Sequence, residues 1–196
     1  MTRNELAHVL RAAARIADDP YILVIGSQSI LGSFGEDELP EVAWVSTEAD
    51  LAFLDDPDAK KADSVDGAIG ELSPFHLEFN YYAQGVEVTT AVLPDGWRER
   101  VVAFSALSAE PAAAVCLDPY DLVISKLAAM REKDLGFAMA LLEAGLLGVG
   151  MLRARAERLT AADPMTRRRV KEWIESAGKR VAGASGTAAP LDHREG

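Results

Sequence analysis

A chain of 196 residues with 49% hydrophobic content has room for one domain with a helical appendage around an ample core. No apolar run reaches membrane-spanning length and the N-terminus lacks a signal-peptide succession, so the sequence reads as a cytoplasmic globular protein with no membrane partner. One cysteine, Cys116 in AAAVCL, excludes an internal disulfide framework and a cysteine-built metal site. The net charge of −11 argues against nucleic acid only until it is divided: residues 1–150 carry ten Lys/Arg against 25 Asp/Glu, whereas 151–180 carry nine against four.

Residues 4–17 (NELAHVLRAAARIA) repeat apolar side chains at helical spacing, with Asn4 as the expected N-cap. Asp18-Asp19-Pro20 ends that helix, because proline removes a donor and biases its predecessor away from helix. Tyr21–Ile25 then reads as a short buried strand, Gly26-Ser27 as a turn, and Ser29–Phe34 as a short helix closed by Gly35. A strand feeding a helix through Gly-Ser leaves backbone N–H groups free at the helix start, a natural phosphate seat. A plain capping role for Ser27 accounts for the same residues.

Residues 35–40 (GEDELP) form a loop, and Val42–Leu54 contains a strand expected to begin near Val45 and to carry Glu48 and Asp50. Side chains two apart on a strand share a face, so these carboxylates look into one volume. At about 5 Å and an effective dielectric near ~20 they repel by roughly 3 kcal/mol, which a divalent cation would offset. Asp55-Asp56-Pro57 ends this segment, and Asp58–Leu72 reads as a helix.

Residues 73–102 (SPFHLEFNYYAQGVEVTTAVLPDGWRERVV) are aromatic-rich and alternate in places, which predicts two or three short strands with turns at Gln84-Gly85 and Pro94-Asp95-Gly96. His76 has no second His or Cys at ligand spacing and reads as structural or surface. Ala112–Leu117 is another buried strand, in which Cys116 fits as a small hydrophobe. Asp118-Pro119 starts a helix with an acidic cap and proline at the first position. In DPYDLVISKLAAMREKD, Lys126 sits among apolar neighbours, where a lysine either snorkels to solvent or serves a site. From Arg131 the pattern continues through Lys133 and Asp134 into FAMALLEAGLL and ends at Gly145. Helices at 149–160 and 164–181 complete the body. The cations of 153–180 present either a solvated face or a surface for a phosphate backbone. Residues 182–196 have the composition of a disordered tail.

Gly26-Ser27 followed, after a helix and loop, by Glu48-x-Asp50 resembles the signature of the polymerase-beta-like nucleotidyltransferase superfamily. SKLAAMREKDLGFAMALLEAGLL resembles the second half of the minimal nucleotidyltransferases and of the AbiEii/MenT-type toxins. SPFHLEFNYYAQGV and LPDGWRERV look like a family of bacterial nucleotidyltransferase-like proteins. The resemblance spans residues 15–158. It implies an α/β (α+β) fold, a small mixed sheet with flanking helices, with the core in 1–117, a helical segment in 118–181 and the tail beyond.

The implied activity is magnesium-dependent transfer of a nucleoside monophosphate from a nucleoside triphosphate to an acceptor hydroxyl. Glu48 and Asp50 would hold Mg2+ as catalytic carboxylates. Gly26, Ser27 and Lys126 would grip the triphosphate, Arg131 and Asp134 would serve the nucleotide, and Glu87 would be a third carboxylate that activates the acceptor. The toxin-like half implies the 3′ end of tRNA as acceptor, reached through residues 153–180, and a cognate antitoxin as partner. Glu48 stands where the superfamily more often has Asp, and Glu87 is the one placed candidate for the third acid. The competing reading is a catalytically degenerate nucleotide-binding or partner-binding protein of the same fold.

Overall fold

The computed structural model describes residues 1–105 and 113–185. Helix α1 (Arg3–Ala17) forms from the apolar repeat, but Thr2 caps it, not Asn4. The Thr2 hydroxyl accepts from the Glu5 N–H while the Glu5 carboxylate accepts from the Thr2 N–H. That reciprocal Thr-x-x-Glu box satisfies two end donors at once, which Asn4 could not.

Strand β1 (Leu23–Val24) lies at the centre of a five-stranded mixed sheet. On one side are β2 (Glu48–Ala52) and then β3 (Tyr82–Gly85); on the other are β5 (Val115–Cys116) and then β4 (Val102–Ala103). β1 runs antiparallel to β2 and parallel to β5, β2 is parallel to β3, and β4 is antiparallel to β5. Cys116 is fully buried in this sheet, and burial pushes its thiol up to about 12, so it behaves as an apolar filler.

Several expected elements differ. The strand expected from Val45 begins at Glu48, because Pro40 leads into a four-residue helix, α2 (Glu41–Trp44). Helix α3 (Lys60–Ile69) is shorter than 58–72, since the Asp56 carboxylate accepts from the Lys61 and Ala62 N–H groups and fixes its start. The stretch read as strands opens instead with helix α4 (Pro74–Phe79), where the Ser73 hydroxyl accepts from the His76 N–H and Pro74 occupies the first turn. Its Phe75 and Phe79 pack with Tyr81 and His8, which accounts for the aromatic spacing. Gln84-Gly85 is no turn: both lie in β3, and a Cβ at Gly85 would come within 1.9 Å of the Ala62 carbonyl oxygen of α3. The turn at Pro94-Asp95-Gly96 is present, with Gly96 at a φ of 74°.

Helices α5 (Pro119–Ala129), α6 (Glu132–Glu143), α7 (Val149–Glu157) and α8 (Pro164–Ser185) follow. The Asp118 carboxylate accepts from the Tyr120 and Asp121 N–H groups, as its position before proline predicts. Between α5 and α6 the chain breaks at Met130, whose φ of 54° turns a pattern that reads as continuous into two helices. Asp121, wholly buried, pairs with Arg100 and Arg155 and so ties α5 to the 94–100 turn and to α7. Residues 182–185, expected in the tail, continue α8; the remainder of that tail lies outside the described residues, as does Ala112. The buried apolar residues form one cluster from Met1 to Ala177. Among the described residues, no helix is long and apolar enough to cross a membrane.

Candidate functional site

Where β1 ends, Ile25 still follows the sheet, its N–H donating to the Asp50 carbonyl at 3.0 Å. The chain then turns at Gly26 into a 3-10 segment, Ser27–Gly32. The Asp50 carboxylate occupies the space a side chain at residue 26 would need: a Cβ there would sit 1.6 Å from Asp50 Oδ2. Glycine is required by this close approach, since the φ of Gly26, −87°, is open to any residue.

The side chain of Ser27 does not cap the segment that it opens. Its Oγ lies 2.9 Å from Lys126 Nζ, delivered by α5. Lys126 does not snorkel either. Its side chain is 10% exposed, and its ammonium donates to Asp134 Oδ1 at 3.0 Å and lies 4.6 Å from the centre of the Phe137 ring. Asp134 is wholly buried and also accepts from Arg131 Nε at 2.5 Å.

Gly26, Ser27, Glu48, Asp50, Lys126 and Arg131 all line one cleft of about 260 Å³. Asp134 sits behind it, holding the two cations. Burial pushes the Asp50 carboxyl above the usual carboxylate range, opposed by the charges of Lys126, Lys133 and Arg131. Burial likewise raises Glu48, with the Asp50 charge adding to the effect and Lys133 and Arg131 opposing it. For Asp134 burial acts upward too, but the hydrogen bonds from Arg131 and Lys126 outweigh it and leave the carboxyl below the ordinary range. Two carboxylates that resist joint ionisation while facing one cleft gain from a cation between them. Magnesium is commonly held by one or two carboxylates, with substrate phosphates and water completing its shell, so Glu48 and Asp50 fit it. Among the described residues no group of three His, Cys, Asp or Glu side chains is placed to hold a metal.

Glu87 does not belong to this cleft. It is exposed, accepts from Thr89 Oγ1 at 3.3 Å, and lines a neighbouring hollow with Asp55, Asp56 and Arg98. Strand β3 ends at Gly85, before Glu87 is reached, and the β3 residue paired with Asp50 is Gln84. Gln84, Ser125 and Lys133 line the cleft and were not singled out from sequence. Lys133 could have been, standing one residue before Asp134. Gln84 could not, because its place depends on β3 pairing parallel to β2. His76 is structural: its Nδ1 accepts from the Leu72 N–H, and its ring packs on Tyr82.

A carboxylate strand set against a Gly-Ser turn in a small mixed sheet, with a lysine brought from a following helix, is an arrangement suited to handling a nucleoside triphosphate, and the class it points to is the nucleotidyltransferases. The chain belongs to the family described as nucleotidyltransferase of unknown function (DUF6036), whose model matches residues 4–174. No curated protein and no solved structure matches the chain.

Proposed function

We propose that the protein is a magnesium-dependent nucleotidyltransferase that moves a nucleoside monophosphate from a nucleoside triphosphate to an acceptor and releases pyrophosphate. The observation that carries this reading is the meeting of two distant pieces of chain: Lys126 Nζ stands 2.9 Å from Ser27 Oγ in the cleft that Glu48 and Asp50 also line. Ser27 and Lys126 bind the phosphate tail, Lys126 as a compact point charge. Asp134 orients Lys126 from behind, and Arg131 keeps its remaining guanidinium donors for the substrate. Glu48 and Asp50 hold the magnesium, which supplies charge stabilisation on the attacking and leaving oxygens. The extra methylene of Glu48 changes its reach without removing its ability to bind.

The toxin-like resemblance offers a finer version, with the 3′ end of tRNA bound along 153–180 and a cognate antitoxin as regulator. Its support is the charge of that segment. Five of those nine cations are engaged inside the protein: Arg153 with Glu175, Arg155 with Asp121, Arg168 with Glu172, Lys171 with Glu157 and Arg180 with Glu143. The pair of Arg155 with Asp121 is largely buried and stays inside the protein. The other four are exposed, and exposed pairs are worth about 0–1 kcal/mol and give way to a phosphate backbone, so the segment remains open to a nucleic acid.

The test is transfer of label from each of the four α-labelled nucleoside triphosphates, with magnesium and bulk tRNA. Label appearing with wild type and vanishing in Asp50→Asn supports the reading. If wild type transfers nothing and shows no thermal stabilisation by nucleotide with magnesium, the protein is the non-catalytic member of its fold. Charge reversal of Arg167, Arg168 and Arg169 tests the tRNA version alone, and unaltered transfer removes that surface from it.

A further inference from the structure

Transfer to a hydroxyl releases a proton, and among the described residues the cleft offers no side chain free to take it. Glu48 and Asp50 are committed as cation ligands. Asp134 is wholly buried between Lys126 and Arg131. Neither His8, bonded through Nδ1 to the Tyr81 hydroxyl, nor His76, bonded to the Leu72 N–H, lines the cleft. Glu87 faces another hollow. The β3 position beside Asp50 holds Gln84, a neutral amide that donates through its NH2 and takes up no proton at neutral pH. Among the described residues, the side chains of Gln84 and Lys133 carry no hydrogen bond or ion pair of their own, and both line this cleft, one from the sheet and one from α6.

We propose that Gln84 makes the cleft selective for an acceptor oxygen that arrives already ionised, that of a phosphate monoester, with the Gln84 amide N–H and the Lys133 ammonium holding its other oxygens. This rests on the nucleotidyl-transfer reading above. A carboxylate at residue 84 would repel such an acceptor, whereas an amide donates to it. A phosphate monoester has its second pKa near ~6 and is mostly a dianion at neutral pH. Its oxygen attacks the α-phosphorus, a P–O–P link forms, and the bond between the α-phosphorus and the bridging oxygen breaks. Pyrophosphate leaves with the electron pair, and no proton is released. The product is a diphosphate esterified at both ends. A sugar phosphate and the 5′ end of an oligonucleotide offer the same chemistry.

The experiment uses the full chain, magnesium and each α-labelled triphosphate with two acceptor pairs: hexose 1-phosphate against hexose, and a 5′-phosphorylated, 3′-blocked oligonucleotide against its 5′-hydroxyl counterpart. The expected result is label on the phosphorylated member of one pair, favoured by at least about tenfold, at a rate flat above about pH 7 because the acceptor is already ionised. The pair that is labelled identifies the source. Label on the hydroxyl members, at a rate that climbs with pH, overturns the proposal and leaves nucleotidyl transfer standing; label on neither member overturns it as well. Gln84→Glu should move the preference toward the hydroxyl member by about tenfold, equivalent to roughly 1.4 kcal/mol, and an unchanged preference removes Gln84 from the role. Thermal stabilisation by triphosphate with magnesium and no acceptor is read in parallel. Its absence in wild type overturns the underlying reading, and this proposal with it.

Discussion

At the scale of single residues, the contact between Gly26 and Asp50 decides the most. A Cβ at residue 26 would lie 1.6 Å from Asp50 Oδ2 and 2.5 Å from its Cγ, so Gly26→Ala must move that carboxylate. Overpacking of this kind costs about 1–3 kcal/mol. The variant should also lose magnesium-dependent nucleotide binding, while in an Asp50→Ala background most of the stability cost should disappear in a double-mutant cycle. Calorimetric unfolding of the four proteins checks this, and equal costs in both backgrounds would contradict the contact.

Asp50 itself makes a pH prediction. Its carboxyl is raised mainly by burial, so the folded chain binds that proton more tightly than the unfolded chain does. The metal-free protein therefore loses stability as pH climbs from the ordinary aspartate range through the raised value. Asp50→Asn removes that loss, and should melt higher than wild type at pH 7 and above without metal, by about 2–4 °C for each ~1 kcal/mol regained. The gap should close on acidification. A variant that melts lower than wild type under those conditions would show that the carboxylate is compensated some other way. Asp134 has the opposite sign: its bonds to Arg131 and Lys126 hold it low, so its contribution is present at neutral pH and is lost as pH falls through its depressed value.

At the scale of elements, α5 is the lever of the site, because the same helix is capped by Asp118, anchored by Asp121 and carries Lys126 to Ser27. Asp118→Ala removes an acceptor for two N–H groups and should cost about 1–2 kcal/mol, with weaker nucleotide binding as Lys126 loses its footing; thermal melts and binding titrations read the two effects separately. An unchanged melt would mean the cap is not needed. This element was legible in the sequence because its signals are local: Asp-Pro marks the start, and the lysine stands out against apolar neighbours. β1 and the Gly-Ser turn were legible for the same reason. What was not legible depended on pairing. The parallel register that sets Gln84 beside Asp50, and leaves Glu87 outside, joins strands separated by α3 and α4, and no short-range pattern records it. Helix α4 was obscured differently, since an alternating aromatic run outweighed a Ser-Pro start that proved decisive.

At the scale of the whole molecule, an acidic body and a basic C-terminal segment are partly knitted together, with Arg180 on Glu143 and Arg155 on Asp121 drawing α7 and α8 onto the core. The charge asymmetry visible in the sequence therefore serves packing as well as any partner. The two halves of the site are separated by nearly the whole sheet in sequence, and their meeting is a property of the fold that no local motif could show. The carboxylate pair, the Gly-Ser turn and the lysine were each identifiable from local pattern, whereas their convergence on one cleft was implied only by the family resemblance and by no spacing in the sequence. Magnesium-dependent nucleotide binding tests that convergence most directly, by calorimetric titration of each nucleoside triphosphate into wild type, Glu48→Gln, Asp50→Asn and Lys126→Ala. Wild type should bind at least one triphosphate only with magnesium, the carboxylate variants should lose the magnesium dependence, and Lys126→Ala should lose affinity with or without the metal. Undiminished magnesium-dependent binding in both carboxylate variants would contradict the account at its centre.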